Sequence, residues 1–442
     1  MTTLPEAWSR TVPADWDWTR LKYVAAVGTG HTPDRAKPEY WVDCTIPWVT
    51  AADLSKRKSA FEPLLGTEQH VSEIGVANSA AVVHPSHTVM FCRTASVGLF
   101  CITGAPMATT QAFVTWAATK RLDPRYLLYT IAAMKSEFDR LAYGSTHLTI
   151  YMPDLEALDV PLPPVDEQRR IADFLDEHIS RIDRIIDARS RSLALLESTR
   201  ASAARNALLG LDSGATVETT LPWAERVGEG WTVRRLSHLA RMGTGHTPSR
   251  SNAEYWIDCS LPWLTTSDVY RFRRDDITTL SETVLTISQT GLENSAAVMH
   301  PAQTVALSRT SGSAGFAIIM GAPMATSQDF VTWTCGGDLA PRFLLGLLRL
   351  MRPYLLGHLA MGSTHKTIYF PDLQDIAVPI PGLDQQRAIG SALNELDMRT
   401  ISHVGAVQRH IELLREYKQS LITAAVIGEF DVTTASTRSV PA

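Results

Sequence analysis

The sequence predicts an α+β protein made by tandem duplication: two mixed α/β modules related by pseudo-two-fold symmetry, separated by two long antiparallel helices forming a coiled coil. Three observations predict it. A long segment of the first half recurs almost unchanged in the second. Both copies carry strand-length apolar runs around one helical pattern, and each copy is followed by a heptad-like stretch of equal length.

Residues 27–54 (VGTGHTPDRAKPEYWVDCTIPWVTAADL) align without a gap on residues 242–269 (MGTGHTPSRSNAEYWIDCSLPWLTTSDV), with 16 of 28 positions identical, far beyond coincidence. The offset is 215 there, 217 at GAPMATTQAFVTW (104–116) against GAPMATSQDFVTW (321–333), and 218 at GSTHLTIYMPDL (144–155) against GSTHKTIYFPDL (362–373). So little insertion requires the copies to share a fold. Within the first copy, apolar runs at 80–83, 88–92, 99–103 and 112–115 read as strands between Gly, Pro, Ser and Asn turn clusters. A helical pattern over 124–142 places Leu127, Leu128, Ile131, Ala132 and Phe138 on one face, and 341–359 is its counterpart.

After each module the periodicity changes. Asp166, a candidate helix cap behind Pro163 and Pro164, is followed by Ile171, Leu175, Ile179, Ile182, Ile186, Leu193 and Leu196, with Gly210 as the stop. The second stretch runs from Asp384 through Ile389, Leu393, Leu396, Val404, Val407, Ile411, Leu414 and Leu421 to Gly428. Both spans are 44 residues, roughly 66 Å of helix at 1.5 Å per residue. Spacings of three and four suit a coiled coil. The expected seam pairs Ile171, Leu175, Ile182, Ile186, Leu193 and Leu196 with Ile389, Leu393, Leu396, Val404, Ile411 and Leu414, since an exposed seam of this length would aggregate. The alternative is that each helix packs on its own module. The expected boundaries are a first module at 1–164, a helical spacer at 165–212, a second module at 213–382, a C-terminal helical spacer at 383–432 and a flexible tail at 433–442.

A hydrophobic fraction of 45% with 20% charged residues excludes general disorder. No run of 18 apolar residues occurs and the first residues, MTTLPEAWSR, lack a signal peptide's pattern, so a cytoplasmic protein without membrane contact is expected. Five cysteines without a CxxC pair indicate neither a disulfide framework nor a zinc ribbon; they are expected reduced and mostly buried. The net charge of −5, and 14 Lys/Arg against 16 Asp/Glu in residues 1–164, give no general affinity for nucleic acid.

Catalytic signatures are missing. The one Pro-Pro pair is followed by valine, not the aromatic residue of an amino-methyltransferase tetrapeptide, and there is no GxxxxGK[ST] phosphate loop. GTGHTP lacks the third glycine and following helix of a nucleotide cradle, so a tight turn is the better reading. His31, His84 and His147 recur as His246, His300 and His365, and Cys44 as Cys259, but these separations carry no ligand pattern. Hydrogen-bonded histidines are expected, with no metal and no cofactor. Tyr40, Trp41 and Trp48, recurring as Tyr255, Trp256 and Trp263, read as core rather than base-stacking platforms.

The order of GTGHTP, the YW pair, IPWVT (LPWLT in the second copy), MATTQAF, GSTHLTIYMPDL and VPLPPVDEQRRIADFLD (VPIPGLDQQRAIGSALN), ending in YKQSLITAAVIGEFDV, resembles the specificity subunits of type I restriction-modification systems. The resemblance covers essentially the whole chain. It implies two target-recognition domains alternating with helical spacers, no catalysis, and three kinds of partner: double-stranded DNA, two methyltransferase subunits and, through them, motor-nuclease subunits. It also implies a bipartite target, which suits two modules meeting one face of B-DNA about ten base pairs apart.

On that reading, candidate DNA contacts are polar residues in turns. Lys56, Arg57 and Lys58 stand where the second copy has Arg271, Arg273 and Arg274, each set after a shared Asp (Asp53, Asp268). Arg93 with Ser96, and Arg309 with Ser313, follow strand-like runs and suit bidentate contact to guanine. Ser145, Thr146 and His147 match Ser363, Thr364 and His365, with Lys366 added in the second copy, as hydroxyl-rich phosphate contacts. Gln111 and Gln328 are weaker candidates for adenine. For each set the alternative is a solvated loop or an internal structural bond. Two other functions stay open: a coiled-coil scaffold without DNA binding, and a self-sufficient methyltransferase or nuclease with an unrecognised site.

Overall fold

The computed structural model describes residues 12–145, 147–361 and 367–432. The chain divides into two compact units, Met1–Ser190 with Arg409–Ala442, and Arg191–Gln408. Each unit therefore combines one module with part of each long helix.

In the first unit a four-stranded antiparallel sheet runs in the order Ala25–Thr29, Phe113–Ala118, Val89–Cys92, Phe100–Ile102, with Trp116 paired to Val27 on one side and Val89 on the other. These strands are apolar on both faces because both are covered. One face packs on the helix Pro124–Ala133, and the other on a smaller cluster of Val49, Leu54, Met90 and Phe113. A three-stranded sheet centres on Ile46–Val49, antiparallel to His70–Val71 and parallel to Ala108–Thr109. Asp17–Arg20 pairs with Asp159–Leu162 just ahead of the long helix.

The second unit repeats this plan in the order Ala240–Thr244, Phe330–Cys335, Val305–Ser308, Ala317–Met320, Thr279–Leu280. It adds a hairpin, Thr216–Leu221 with Ala224–Gly228, that no sequence pattern announced. Mixed sheets with packed helices make the fold α+β, as the repeat required.

Two local expectations fail. Residues 80–83 form no strand: only Ala81 of the four is buried, and Val82 is 50% exposed. The Pro85 that follows has no N–H to extend a ladder. The helical pattern over 124–142 breaks at Met134 (φ −80°, ψ 14°) into Pro124–Ala133 and Lys135–Leu141. Its counterpart Pro341–Tyr354 ends in a wider turn, Leu355–Leu359, beside Pro353, whose ring cannot continue a regular helix.

The long helices are Val165–Leu209 and Leu383–Val426, 45 and 44 residues. Gly210 (φ 68°) and Gly428 (φ 71°) end them in the left-handed conformation that favours glycine. Asp166 and Asp384 lie in the first turn rather than at the cap, still favourable at the positive end of the helix dipole. In the first unit Phe174 meets Phe430 with ring centroids 5.6 Å apart, and Asp183 pairs with Lys418 at 2.5 Å, so the helices run antiparallel. In the second unit Arg200 pairs with Asp397 at 2.6 Å. Ile171, Leu175, Ile182, Leu393, Ile411 and Leu414 are buried; Ile186, Leu193, Leu196, Ile389, Leu396 and Val404 are half-buried. The helices also pack on the modules: Tyr126 Oη donates to Val426 O at 3.1 Å and Gln419 Nε2 to Ala132 O at 3.0 Å. Seam pairing and module packing, weighed as alternatives from the sequence, coexist.

One buried glutamine joins each module to its helix. Gln168 Nε2 donates to Pro163 O (2.8 Å) and Arg121 O (3.0 Å), while Oε1 accepts from Asp123 N (2.7 Å). Gln386 repeats all three bonds to Pro381 O, Asp338 O and Ala340 N. Among the described residues, no helix is long and apolar enough to cross a membrane.

Candidate nucleic-acid interface

Three loops singled out in the sequence meet at one edge of the first module, beyond the end of the strand Val89–Cys92, and the first two of them meet in the same way beyond Val305–Ser308 in the second. GTGHTP joins the MATTQ loop because Gly30 lies against the Thr109 carbonyl, where a Cβ would come within 2.0 Å of the oxygen; Gly245 meets Thr326 O in the same way at 1.8 Å. That approach lets His31 N donate to Thr109 O and His246 N to Thr326 O, both at 3.0 Å. Thr32 Oγ1 then donates to Gln111 Oε1 (2.8 Å) and Thr247 Oγ1 to Gln328 Oε1 (2.6 Å). Both glutamines are exposed, and with Oε1 engaged by the threonine the amide N–H groups are the remaining donors of each.

The arginines behind them face inward. Arg93 Nη2 donates to Gln111 O at 3.1 Å and Nη1 to Ile150 O at 3.4 Å, and Arg309 Nε donates to Gln328 O at 3.0 Å. Ile150 N and Ile368 N donate to the Arg93 and Arg309 carbonyls at 2.9 and 2.8 Å, bringing the third loop alongside. Ser145 and His147 are exposed there; Thr146, Ser363, Thr364, His365 and Lys366 lie outside the described residues. Ser96 is exposed on the adjacent turn, whereas Ser313 is half-buried and tied to Ser308 Oγ (2.8 Å) and Thr310 O (2.7 Å). The modules differ at this edge: Asp329 replaces Ala112 and accepts from Thr310 Oγ1 at 2.8 Å.

The basic segments form a second loop, closed at its base by the shared aspartate. Asp53 accepts from Thr50 N and Glu68 N, both at 2.8 Å, and Asp268 from Thr265 N (2.9 Å) and Val284 N (2.7 Å). Lys56 pairs with Glu68 at 2.5 Å, and Arg57 donates to Glu62 O. Arg271 donates to Glu282 O (2.8 Å) and Arg273 to Gly312 O (2.6 Å). Lys58 and Arg274 are exposed. Three of these six cations, Arg57, Arg271 and Arg273, thus bond to loop backbone.

Trp48 and Trp263 are almost wholly buried, with Trp41 and Trp256 edge-on at 5.5 and 5.6 Å. His84 and His300 are buried, each bonded through Nδ1 to a threonine, Thr115 (3.3 Å) or Thr332 (3.4 Å). Neither Nε2 has a hydrogen-bond partner among the described residues. Burial holds both imidazoles below their ordinary value of 6.5 and therefore neutral. All five cysteines are free; Cys92 and Cys101 are buried, and Cys44, Cys259 and Cys335 half-buried. Burial pushes the Cys101 and Cys335 thiols up to about 12, the reverse of an activated nucleophile. Among the described residues no three His, Cys, Asp or Glu side chains gather as metal ligands.

Fold and site together define a tandem-module binding protein with one loop edge built twice. The family model for the type I restriction modification DNA specificity domain matches residues 13–193 and 228–413. The chain belongs to that family of type I restriction-modification specificity subunits. It is 24% identical over 258 residues to the type I restriction enzyme MjaIX specificity subunit of Methanocaldococcus jannaschii, covering 57% of this chain and 58% of that protein. It is 22% identical over 185 residues to the Escherichia coli EcoR124I/EcoR124II specificity subunit, covering 40% of this chain and 45% of that one. The chain thus spans about half the length of these curated relatives. Among solved structures it resembles a chain from work on complex assembly and conformational transition of the type I R-M system, with TM-score 0.73, 18% identity, and coverage of 95% and 99% of the two chains. The HsdS subunit of Thermoanaerobacter tengcongensis follows at TM-score 0.53 and 18% identity, covering 97% of this chain and all of that one. These likenesses carry the fold.

Proposed function

We propose that the chain is the non-catalytic DNA-recognition subunit of a type I restriction-modification complex, with each module reading one half of a bipartite duplex target. The observation that carries the reading is the doubled edge: the same threonine-held glutamine stands over an inward-turned arginine in both modules. Gln111 and Gln328 offer donors suited to purine N7 or a phosphate oxygen. Around them Ala112 or Asp329, and Leu148 or Lys366, differ. The half-sites should accordingly share the position under the glutamines and diverge beside it. Lys58 and Arg274, with the loops at Ser145 and His147, supply phosphate contacts, while Arg93 and Arg309 position the loops.

The helical spacers, at 165–212 and 383–432, set the spacing between modules 1–164 and 213–382 and dock two methyltransferase subunits, which in turn carry the motor-nuclease subunits. Net charge −5 leaves the free subunit little long-range attraction for DNA. Fluorescence anisotropy with a target duplex should therefore give weak binding alone and tight, sequence-specific binding once methyltransferase subunits are added. Nanomolar specific binding by the free subunit at physiological salt would overturn the assignment of grip to the partners.

A further inference from the structure

Between its module helix and the long helices, each unit holds a cleft, and the two clefts differ in charge. In the first unit Lys58, Arg125 and Arg184 line it against Glu62, Asp176, Asp183 and Asp187. In the second, a cleft of about 290 Å³ is lined by Arg200, Arg205, Arg342 and Arg349 against only Asp275 and Asp397. The change comes at corresponding positions. Asp176, which accepts from Arg125 at 2.7 Å and from Tyr129 Oη at 2.7 Å, becomes Asn394; Tyr129 becomes Gly346; Ala132 becomes Arg349.

The consequence is a shortage of counter-charge. Arg200 and Arg342 share the single carboxylate of Asp397, at 2.6 and 2.7 Å. Arg349 and Arg352 share Asp275, at 3.2 and 2.7 Å. The Arg342 and Arg349 side chains are only 15% and 10% exposed; beyond the two carboxylates they donate to neutral oxygens, Arg342 Nε to Asn394 Oδ1 and Arg349 to the Asp275 and Ile277 carbonyls, which leave the excess charge in place. Partly buried guanidinium groups in excess over carboxylates are unfavourable unless an anion completes them. A phosphate, with its oxygens spread to meet several forked donors, matches that need. The arginine excess is particular to the second unit: the cleft beside the corresponding module helix of the first unit is lined by carboxylates in the majority.

We propose that the second unit's cleft binds a phosphate group, either free or carried on a nucleic-acid backbone. Thermal unfolding of the full chain is followed in sodium phosphate and in sodium chloride of equal ionic strength. Phosphate at ten times its dissociation constant is expected to raise Tm by roughly 3 °C. Two substitutions are expected to remove that rise: Arg205→Glu, at an exposed helix position where folding is retained, and Asn394→Asp, which restores the carboxylate found in the first unit. No rise for the wild type, or a rise that survives both substitutions, overturns the proposal. A duplex arm, which rests on the DNA-recognition reading, separates the sources. Weaker duplex binding by both variants, with phosphate competing, assigns the site to the DNA backbone; unchanged duplex binding assigns it to free phosphate. Failure of the chain and its partners to bind any duplex would sink the recognition reading and leave the Tm result standing on its own.

Discussion

Replacing Gln168 by leucine keeps the side-chain volume at a wholly buried position but removes three hydrogen bonds to backbone groups: Pro163 O, Arg121 O and Asp123 N. The Pro163 carbonyl is in the fully buried environment; the other two groups lie nearer the surface and regain some water. An unsatisfied buried backbone group costs about 1–3 kcal/mol. With partial rehydration of two of the three, the total is roughly 3–5 kcal/mol. That is a large share of a domain's typical stability of about 5–15 kcal/mol. Urea unfolding followed by tryptophan fluorescence measures it, since Trp48 and Trp116 are buried in the same unit. The midpoint should fall while the slope is kept. A loss below about 1 kcal/mol would refute the reasoning that these bonds are unreplaced by water. The meaning is mechanical: this residue ties the first module to the start of its long helix.

Three further outcomes are expected. Gln111→Ala and Gln328→Ala should each relax the methylated motif at one position of one half-site, by about 1–3 kcal/mol of discrimination, as read by methylome sequencing of strains carrying each variant; a motif unchanged at every position would remove the glutamines from base reading. Because the folded pKa of His84 and His300 lies below the ordinary 6.5, the unfolded chain takes up more protons on acidification. Stability should thus be intact above pH 6.5 and fall progressively below it, and calorimetry of His300→Phe should show a shallower fall than the wild type. Inserting four residues after Ile186 extends the helix by about 6 Å; the methylated target should gain unread spacer or methylation should cease, whereas an unchanged motif would show that the helices do not set the spacing.

The repeat made most of the architecture legible. An offset that grows only from 215 to 218 ties the two modules to one fold, and the glycines at 210 and 428 end the helices close to the expected points. Tertiary partners were not legible. For Arg93 and Arg309 the sequence left base contact and an internal bond side by side, and only the fold shows the carbonyls, 18 and 19 residues ahead in sequence, to which they donate. Gln168 and Gln386 sit amid charged helix sequence and look solvated, although both are completely buried. Their recurrence at the offset of 218, directly after proline-rich strand ends, was the available signal. The charge difference between the clefts was hidden because Asp275, Arg342 and Asp397 are distant in sequence, and only the fold gathers them.

The most direct test of the central claim is methylome sequencing of a strain expressing the complete system, with and without this gene. The account predicts a bipartite methylated motif that disappears when the gene is deleted and returns on complementation. An unchanged methylome in a strain that expresses all subunits would contradict it.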